Sequence, residues 1–286
     1  MERKHIIKEI FNMAKRDFTL TFSLAIILIL IIFSIFPQYI AKYDFYDVDL
    51  SLRLNPPSLD YPFGTDFLGR DILSMIIWGS RIALIITIWP TLISATIGVA
   101  IGILSGYVGG VFDDIVMRGV DILMSFPSLL LALGIISVLG PGITNAMIAV
   151  TIGRISSYVR LSRSLTFSVK ETGFVEYAKA LGASRTRIML RYIFPNVLTP
   201  IIVQITFSMP GTLLNVASLS FLGLGGKPPT PDWGVLMQQS RIYLLYAPWA
   251  AIIPGIAIFL VAFSFNTIGE ALRDIVDPRR KYIRMV

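Results

Sequence analysis

Five long tracts of this 286-residue chain carry no charged side chain, and they limit the folds open to it more than any other feature. They cover residues 18–41, 82–112, 122–153, 192–226 and 242–269. A helix crosses a membrane with about 20 predominantly apolar residues, and a charge buried in lipid is costly. The tracts therefore predict an all-α integral membrane protein.

The third tract is long enough for two spans. Gly140, Pro141 and Gly142 interrupt it with a strong turn signal while its flanks stay apolar, so we interpret it as a helical hairpin. The chain is then predicted to have about six membrane-spanning helices, near residues 18–40, 82–106, 117–138, 143–164, 196–222 and 246–269.

Composition excludes several classes of enzyme. Hydrophobic residues make up 55% and charged residues 15% of the chain, against roughly 45–50% and about 25% in soluble domains. No cysteine is present, and the one histidine, His5, lies in the charged N-terminal tail. We therefore expect no disulfide, no catalytic residue and no metal site in this chain.

The distribution of basic residues predicts the orientation. Lys and Arg are enriched in cytoplasmic loops, and with both termini inside all but six of the 25 fall there; the exceptions are Lys42, Arg53, Arg70, Arg81, Lys227 and Arg241. This asymmetry explains the net charge of +7 without nucleic acid as a partner. The predicted segments are a cytoplasmic tail 1–17, a first span 18–40, an extracytoplasmic segment 41–81, a five-helix core 82–269 with a cytoplasmic loop 166–195, and a cytoplasmic tail 270–286.

The chain offers no energy source of its own. The predicted spans are almost bare of charge, and Arg118, Asp121 and Arg154 are assigned to cytoplasmic span ends, where snorkelling or end-pairing accounts for them. Gly225-Gly226-Lys227 is followed by Pro228, so it is not a nucleotide-binding loop. If the protein pumps, its ATPase is a separate chain.

The loop between the fourth and fifth spans has a helical pattern. Phe174, Tyr177, Ala178 and Leu181 recur at i, i+3, i+4 and i+7. Gly182 can adopt a left-handed stop conformation, and Ser184 can cap a second short helix. The pattern predicts helix, bend and helix, a shape suited to insertion into a partner's groove.

This loop resembles the EAA motif of bacterial and archaeal importer permeases, in which it forms the coupling helix that docks on the ATPase. Glu176-x-Ala178-x-x-x-Gly182 with Pro195 carries the resemblance, although Tyr177 replaces the usual second Ala and Phe194 the usual Leu. The resemblance implies polar contacts by Glu176, close approach at Ala178 and a bend at Gly182. The residues expected to couple to the ATPase are Phe174, Glu176, Tyr177, Ala178, Leu181, Gly182 and Pro195.

A second resemblance narrows the subfamily. The run from Pro62 to Asp71, followed by Ser74, Gly79 and Arg81, is similar to the extracytoplasmic signature of the C-type permease of dipeptide, oligopeptide and nickel importers. The 124–127 and 272–279 segments fit the same subfamily. We expect Asp66, Arg70 and Asp71 to pair and to order this loop rather than to bind substrate. The candidate residues of this signature are Gly64, Thr65, Asp66, Gly69, Arg70 and Asp71.

The resemblance implies a permease subunit of an ATP-driven importer in the cytoplasmic membrane. It implies half of a translocation pore, a second homologous permease, two ATPase subunits that hold ATP and Mg, and a substrate-binding protein outside. Dipeptides or short oligopeptides are the leading cargo, with nickel or oligosaccharides as alternatives. A self-sufficient secondary transporter, a membrane enzyme and a membrane scaffold are the competing hypotheses.

Overall fold

The computed structural model describes residues 17–276, which form eleven α-helices. They are α1 (Phe18–Ile35), α2 (Pro37–Ile40), α3 (Ile72–Val108), α4 (Gly110–Met124), α5 (Ser128–Leu139), α6 (Ile143–Lys170), α7 (Gly173–Ala180), α8 (Arg185–Ile188), α9 (Phe194–Phe221), α10 (Trp233–Ser240) and α11 (Pro248–Val276). Short 3₁₀ turns lie at Leu50–Leu52 and Arg241–Tyr243, and a π-helical turn at Met189–Ile193 joins α8 to α9. His5, most of the predicted N-terminal tail and the end of the C-terminal motif lie outside the described residues.

Within residues 17–276, four helical segments are long and apolar enough to cross a membrane: α1, α3, the run Arg185–Phe221 and α11. The bent pair of α4 and α5 adds a fifth if it is counted as one span. The remaining predicted span, 143–164, coincides with α6, whose arginines lower its hydropathy. The predicted all-helical membrane fold is thus confirmed.

The predicted span 117–138 is not one straight helix. Helices α4 and α5 meet at 94° around Ser125, Phe126 and Pro127. Pro127 cannot donate a backbone hydrogen bond and disfavours helical geometry in the residue before it, so the helix ends at Met124 and restarts at Ser128. The hairpin turn predicted at 140–142 is present, with Gly140 at φ +82° and Gly142 at φ +157°.

Helix α3 begins ten residues before the predicted span 82–106, at Ile72. Asp71 caps it by accepting a hydrogen bond from the Ser74 amide at 2.9 Å. The sequence-based boundary followed the last charged residue, Arg81, but a helix continues across a charge wherever the side chain reaches solvent. Helix α3 therefore includes the Ser74 and Gly79 positions of the signature.

Small residues bring α3 and α6 into direct contact. A Cβ on Gly98 would lie 2.6 Å from the Cβ of Tyr158, a Cβ on Gly102 would overlap the Ser162 hydroxyl, and one on Gly106 would lie 2.9 Å from the Arg163 carbonyl oxygen. Glycine at these three positions removes the side chains that would hold the backbones apart.

The larger of two buried apolar clusters in the bundle receives residues from α1, α3, α5, α6, α9, α10 and α11. Three of the four long helices contain internal proline: Pro90 in α3, Pro200 and Pro210 in α9, and Pro254 in α11. Each proline removes one backbone hydrogen bond from its helix. These helices therefore each contain at least one position at which a kink is favoured.

Candidate functional site

The 173–188 hairpin, formed by α7 and α8, has the helix–bend–helix shape predicted from its sequence. Gly182 adopts φ +79°, and two hydrogen bonds end α7 around it: the Gly182 amide donates to the Lys179 carbonyl at 2.9 Å and the Ala183 amide to the Ala178 carbonyl at 3.0 Å. This is a Schellman motif. Ser184 then caps α8 by accepting from the Arg187 amide at 3.3 Å.

The hairpin has one face buried in this chain and one face exposed. Val175 and Ala178 are 0% and 4% exposed, whereas Phe174, Tyr177 and Leu181 are 47%, 68% and 70% exposed. The i, i+4 pattern had grouped Ala178 with Phe174, Tyr177 and Leu181, but in the structure Ala178 faces the bundle and is buried. Its small side chain permits close approach within this chain.

The buried face belongs to a second apolar cluster. Val175 and Ile188 of the hairpin pack with Val99 and Ile103 of α3 and with residues at the start of α9, among them Val197. Leu161, Leu165 and Val169 of α6 border the same cluster. The hairpin therefore packs directly against three helices of the bundle.

Glu176 and Pro195 are both exposed. Within residues 17–276 no side-chain hydrogen bond or ion pair is made by Glu176, which lies in the first turn of α7, where a carboxylate is favoured by the helix dipole. Pro195 is the second residue of α9 and follows the π-helical turn Met189–Ile193. Both are accessible to a partner.

The other predicted group, the 64–71 loop, lies at the opposite end of α3. Gly64 and Gly69 adopt φ +72° and +75°. A Cβ on Gly64 would lie 2.7 Å from the Asn55 carbonyl oxygen, and one on Gly69 would overlap the Asp49 carbonyl. Both glycines are required by backbone conformation and by space.

A buried ion pair organises this loop. The Asp66 and Arg70 side chains are each 2% exposed, and Arg70 donates to Asp66 from Nε at 2.7 Å, with an Nη–Oδ distance of 2.6 Å. Asp66 also accepts from the backbone amides of Leu68 at 2.8 Å and of Arg70 at 2.9 Å. A terminal nitrogen of Arg70 also donates to Gln239 Oε1 of α10 at 3.4 Å. The predicted pairing is present between Asp66 and Arg70 but does not include Asp71, and the Gln239 contact ties the loop to a distant part of the chain.

Thr65 and Asp71 complete the loop. Thr65 is fully buried, donates to the Leu52 carbonyl and accepts from the Asn55 amide at 2.9 Å, while its carbonyl accepts from Trp249 Nε1 at 3.3 Å. Asp71 binds the Ser74 hydroxyl at 2.6 Å. These contacts join segments 49–71 and 232–249 into one layer at this end of the bundle, which we call the cap.

The cap contains residues that sequence reasoning missed. Asp232 is 1% exposed and accepts from the Ser220 hydroxyl at 2.6 Å and from the Gly234 amide at 2.8 Å. Burial raises the pKa of Asp232, although these hydrogen bonds act in the opposite direction. Asp232 lies directly before a helix, and this position is the one signal that could have marked it as a helix N-cap.

Hydrogen bonding to Tyr43 raises the pKa of Tyr61 to about 12 at the rim of the cap. Within residues 17–276 no group of three or more His, Cys, Asp or Glu side chains could hold a metal ion.

Two family models match the chain. Residues 98–282 match the binding-protein-dependent transport system inner membrane component, and residues 8–57 match the N-terminal TM domain of oligopeptide transport permease C. The first match covers more than half of the chain. It includes the 173–188 hairpin and the residues of the apolar cluster against which the hairpin packs.

Curated relatives match over almost the full length. The dipeptide transport system permease protein DppC of Alkalihalophilus pseudofirmus is 38% identical over 96% of this chain and 90% of its own. DppC of Haemophilus influenzae is 40% identical over 90% of both chains. The glutathione transport system permease protein GsiD of Escherichia coli is 41% identical over 89% of this chain and 84% of its own.

Among solved structures, a chain of the MetNI methionine ABC transporter in inward-facing conformations superimposes with a TM-score of 0.55 at 19% identity, covering 70% of this chain and 97% of that one. This likeness supports the fold. With the family models and the curated relatives, it leads to one conclusion: the chain belongs to the binding-protein-dependent transport system inner membrane components, the permeases of ABC importers.

Proposed function

We propose that this permease forms half of the translocation path for dipeptides or short oligopeptides and that the 173–188 hairpin couples it to an ATPase subunit. The observation that carries the proposal is the two-faced hairpin, with Phe174, Tyr177 and Leu181 exposed while Val175 and Ala178 are packed. Exposed apolar side chains on a short helix, held on a firmly packed base, suit a groove of a partner protein.

The partners follow from the family. A second homologous permease completes the pore, two ATPase subunits bind ATP and Mg and carry out hydrolysis, and a binding protein delivers cargo to the cap. The hairpin then lies on the cytoplasmic side with both termini, and the cap lies outside. ATP-driven closure of the ATPases moves the hairpin, and α3, α6 and α9 follow through the shared apolar cluster.

Peptide cargo is favoured by the named relatives, two of which are dipeptide permeases and one a glutathione permease. Purification from native membranes in mild detergent tests the whole proposal. We expect recovery of a second permease, ATPases of the P-loop type and a binding protein that carries peptide. Bound nickel or oligosaccharide would replace the cargo assignment, and isolation of this chain alone from membranes with intact partners would favour a self-sufficient carrier.

The coupling role is tested separately by Tyr177→Ala, with Tyr246→Ala as the matched control. Both tyrosines are exposed, at 68% and 81%, and the second follows α10 at the cap end. We expect Tyr177→Ala to reduce the amount of ATPase that co-purifies and Tyr246→Ala to leave it unchanged. Equal recovery of ATPase with both variants would remove the hairpin from the coupling interface.

A further inference from the structure

Arg154 lies in the interior of α6, and its side chain is only partly exposed. It follows Ile143, the first residue of α6, by about 16 Å along the helix at about 1.5 Å per residue. For the predicted span 143–164, this position is near the middle of a hydrocarbon core of about 30 Å. Its guanidinium packs against Gly211, in the interior of α9, where a Cβ would overlap one terminal nitrogen. Glycine at 211 thus makes room for this cation.

The cation has no counter-charge in the described part of the chain. Residues 17–276 provide neither a hydrogen bond nor an ion pair to the Arg154 guanidinium, and its Nε is buried without a partner. Arg160, six residues later on the same helix, instead pairs with Asp121 at 2.6 Å near the bundle surface. Arg163, further along α6, pairs with Asp113.

A second polar group lies one helical turn away. Tyr158 is 1% exposed, and its hydroxyl also has no hydrogen-bond partner in residues 17–276. Ser208 of α9 lies near this hydroxyl without forming a hydrogen bond to it. Two donors with unused capacity therefore lie side by side at the α6–α9 contact.

An unpaired arginine at this depth is costly if it faces lipid, and arginines at such positions face the bundle interior or a water-filled path. Arg154 keeps part of its surface accessible. Its planar guanidinium matches a carboxylate through two parallel hydrogen bonds, and the substrate class proposed above always carries one carboxylate at its C-terminus.

We propose that Arg154, beside Gly211 and with the Tyr158 hydroxyl in reach, binds the carboxylate of the peptide as it passes this permease. The inference rests on the proposed function, because the ligand is the proposed cargo. It adds a membrane-embedded recognition point to an importer whose selection otherwise takes place in the binding protein.

The test is photolabelling of the detergent-purified assembly of both permeases and both ATPases, with the binding protein left out. The probe is a dipeptide that carries a photoreactive phenylalanine, and unlabelled dialanine or dialanine amide competes for the site. In the wild type we expect the free acid to compete at a concentration about tenfold or more below the amide, because one charge-assisted interaction is lost in the amide. In Arg154→Gln the acid and the amide should compete equally.

Two variants separate recognition from structure. Arg154→Lys keeps the charge and should retain a preference for the acid, and Arg160→Gln, the matched control on the same helix, should behave as wild type. Co-purification of the partner permease and ATPases reports whether each variant assembles, and Arg154→Lys remains informative if Arg154→Gln does not.

Absence of labelling on this chain, or equal competition by acid and amide in the wild type, overturns the inference. An unchanged preference in Arg154→Gln overturns it as well. Uptake of dialanine into proteoliposomes by the wild-type importer with its binding protein tests the proposed function independently. Normal uptake without a carboxylate preference in labelling would refute the role of Arg154 alone.

Discussion

Arg70→Met should loosen the 64–71 loop by a large and measurable amount. The substitution keeps side-chain bulk but leaves the Asp66 carboxylate, which is 2% exposed, without its charged partner. Breaking a buried ion pair by removal of one member costs about 3–5 kcal/mol. Since about 1.4 kcal/mol corresponds to a factor of ten, local opening of the loop should become roughly a hundredfold more frequent or greater.

Hydrogen–deuterium exchange of the assembled full-length protein in nanodiscs measures this opening directly. The informative amides are those of Leu68 and Arg70, which donate to Asp66. Lys42→Met is the matched control, because it breaks a pair with Asp60 whose side chains are 56% and 82% exposed. Solvent-exposed ion pairs contribute little to stability, so Lys42→Met should leave the exchange of the Leu68 and Arg70 amides unchanged.

Exchange in Arg70→Met within a few-fold of wild type would refute the claim that the pair organises the loop. Faster exchange in both variants would show that charge in the segment matters and burial does not.

Three further predictions follow from the geometry. Gly102→Ala should lower the melting temperature in detergent, since overpacking costs about 1–3 kcal/mol where a Cβ overlaps Ser162, whereas Gly119→Ala, with open space around it, should not. Gly182→Ala has room but a φ of +79°, so it should destabilise the hairpin by about 1–2 kcal/mol and reduce ATPase co-purification. Burial raises the pKa of Asp232 above its ordinary 3.8. The unfolded chain therefore loses this proton at a lower pH than the folded chain, and stability falls as pH rises from 3.8 through the raised pKa. In a pH series of melting temperatures, Asp232→Asn should reduce this fall in stability.

The presence of the long apolar helices was predictable because a helix that crosses a membrane needs about 20 predominantly apolar residues and a charge buried in lipid is costly. The turn at Gly140–Gly142 was predictable for a similar reason, since glycine and proline act locally. The bend between α4 and α5 was not assigned, because Phe126-Pro127 lies within an unbroken apolar tract and hydropathy does not register direction.

The orientation of individual side chains was less accessible. The helical pattern of the 173–188 segment groups Ala178 with Phe174 and Tyr177, and only the packing of α7 on the bundle decides that Ala178 faces inward. The pairing of Asp66 with Arg70 is local and was expected, but the contact of Arg70 with Gln239 joins residues far apart in the chain. Long-range partners of this kind leave no periodic signal.

Pro90 gives α3 a mechanical property. It lies 18 residues after Ile72, so the outer arm of the helix is about 27 Å long. A change of about 10° in the angle at Pro90 would displace the Asp71 end by about 5 Å by simple lever geometry. Since the cap is fastened to that end through Asp71 and the 64–71 loop, a small rotation in mid-helix would displace the attached loop by a similar distance.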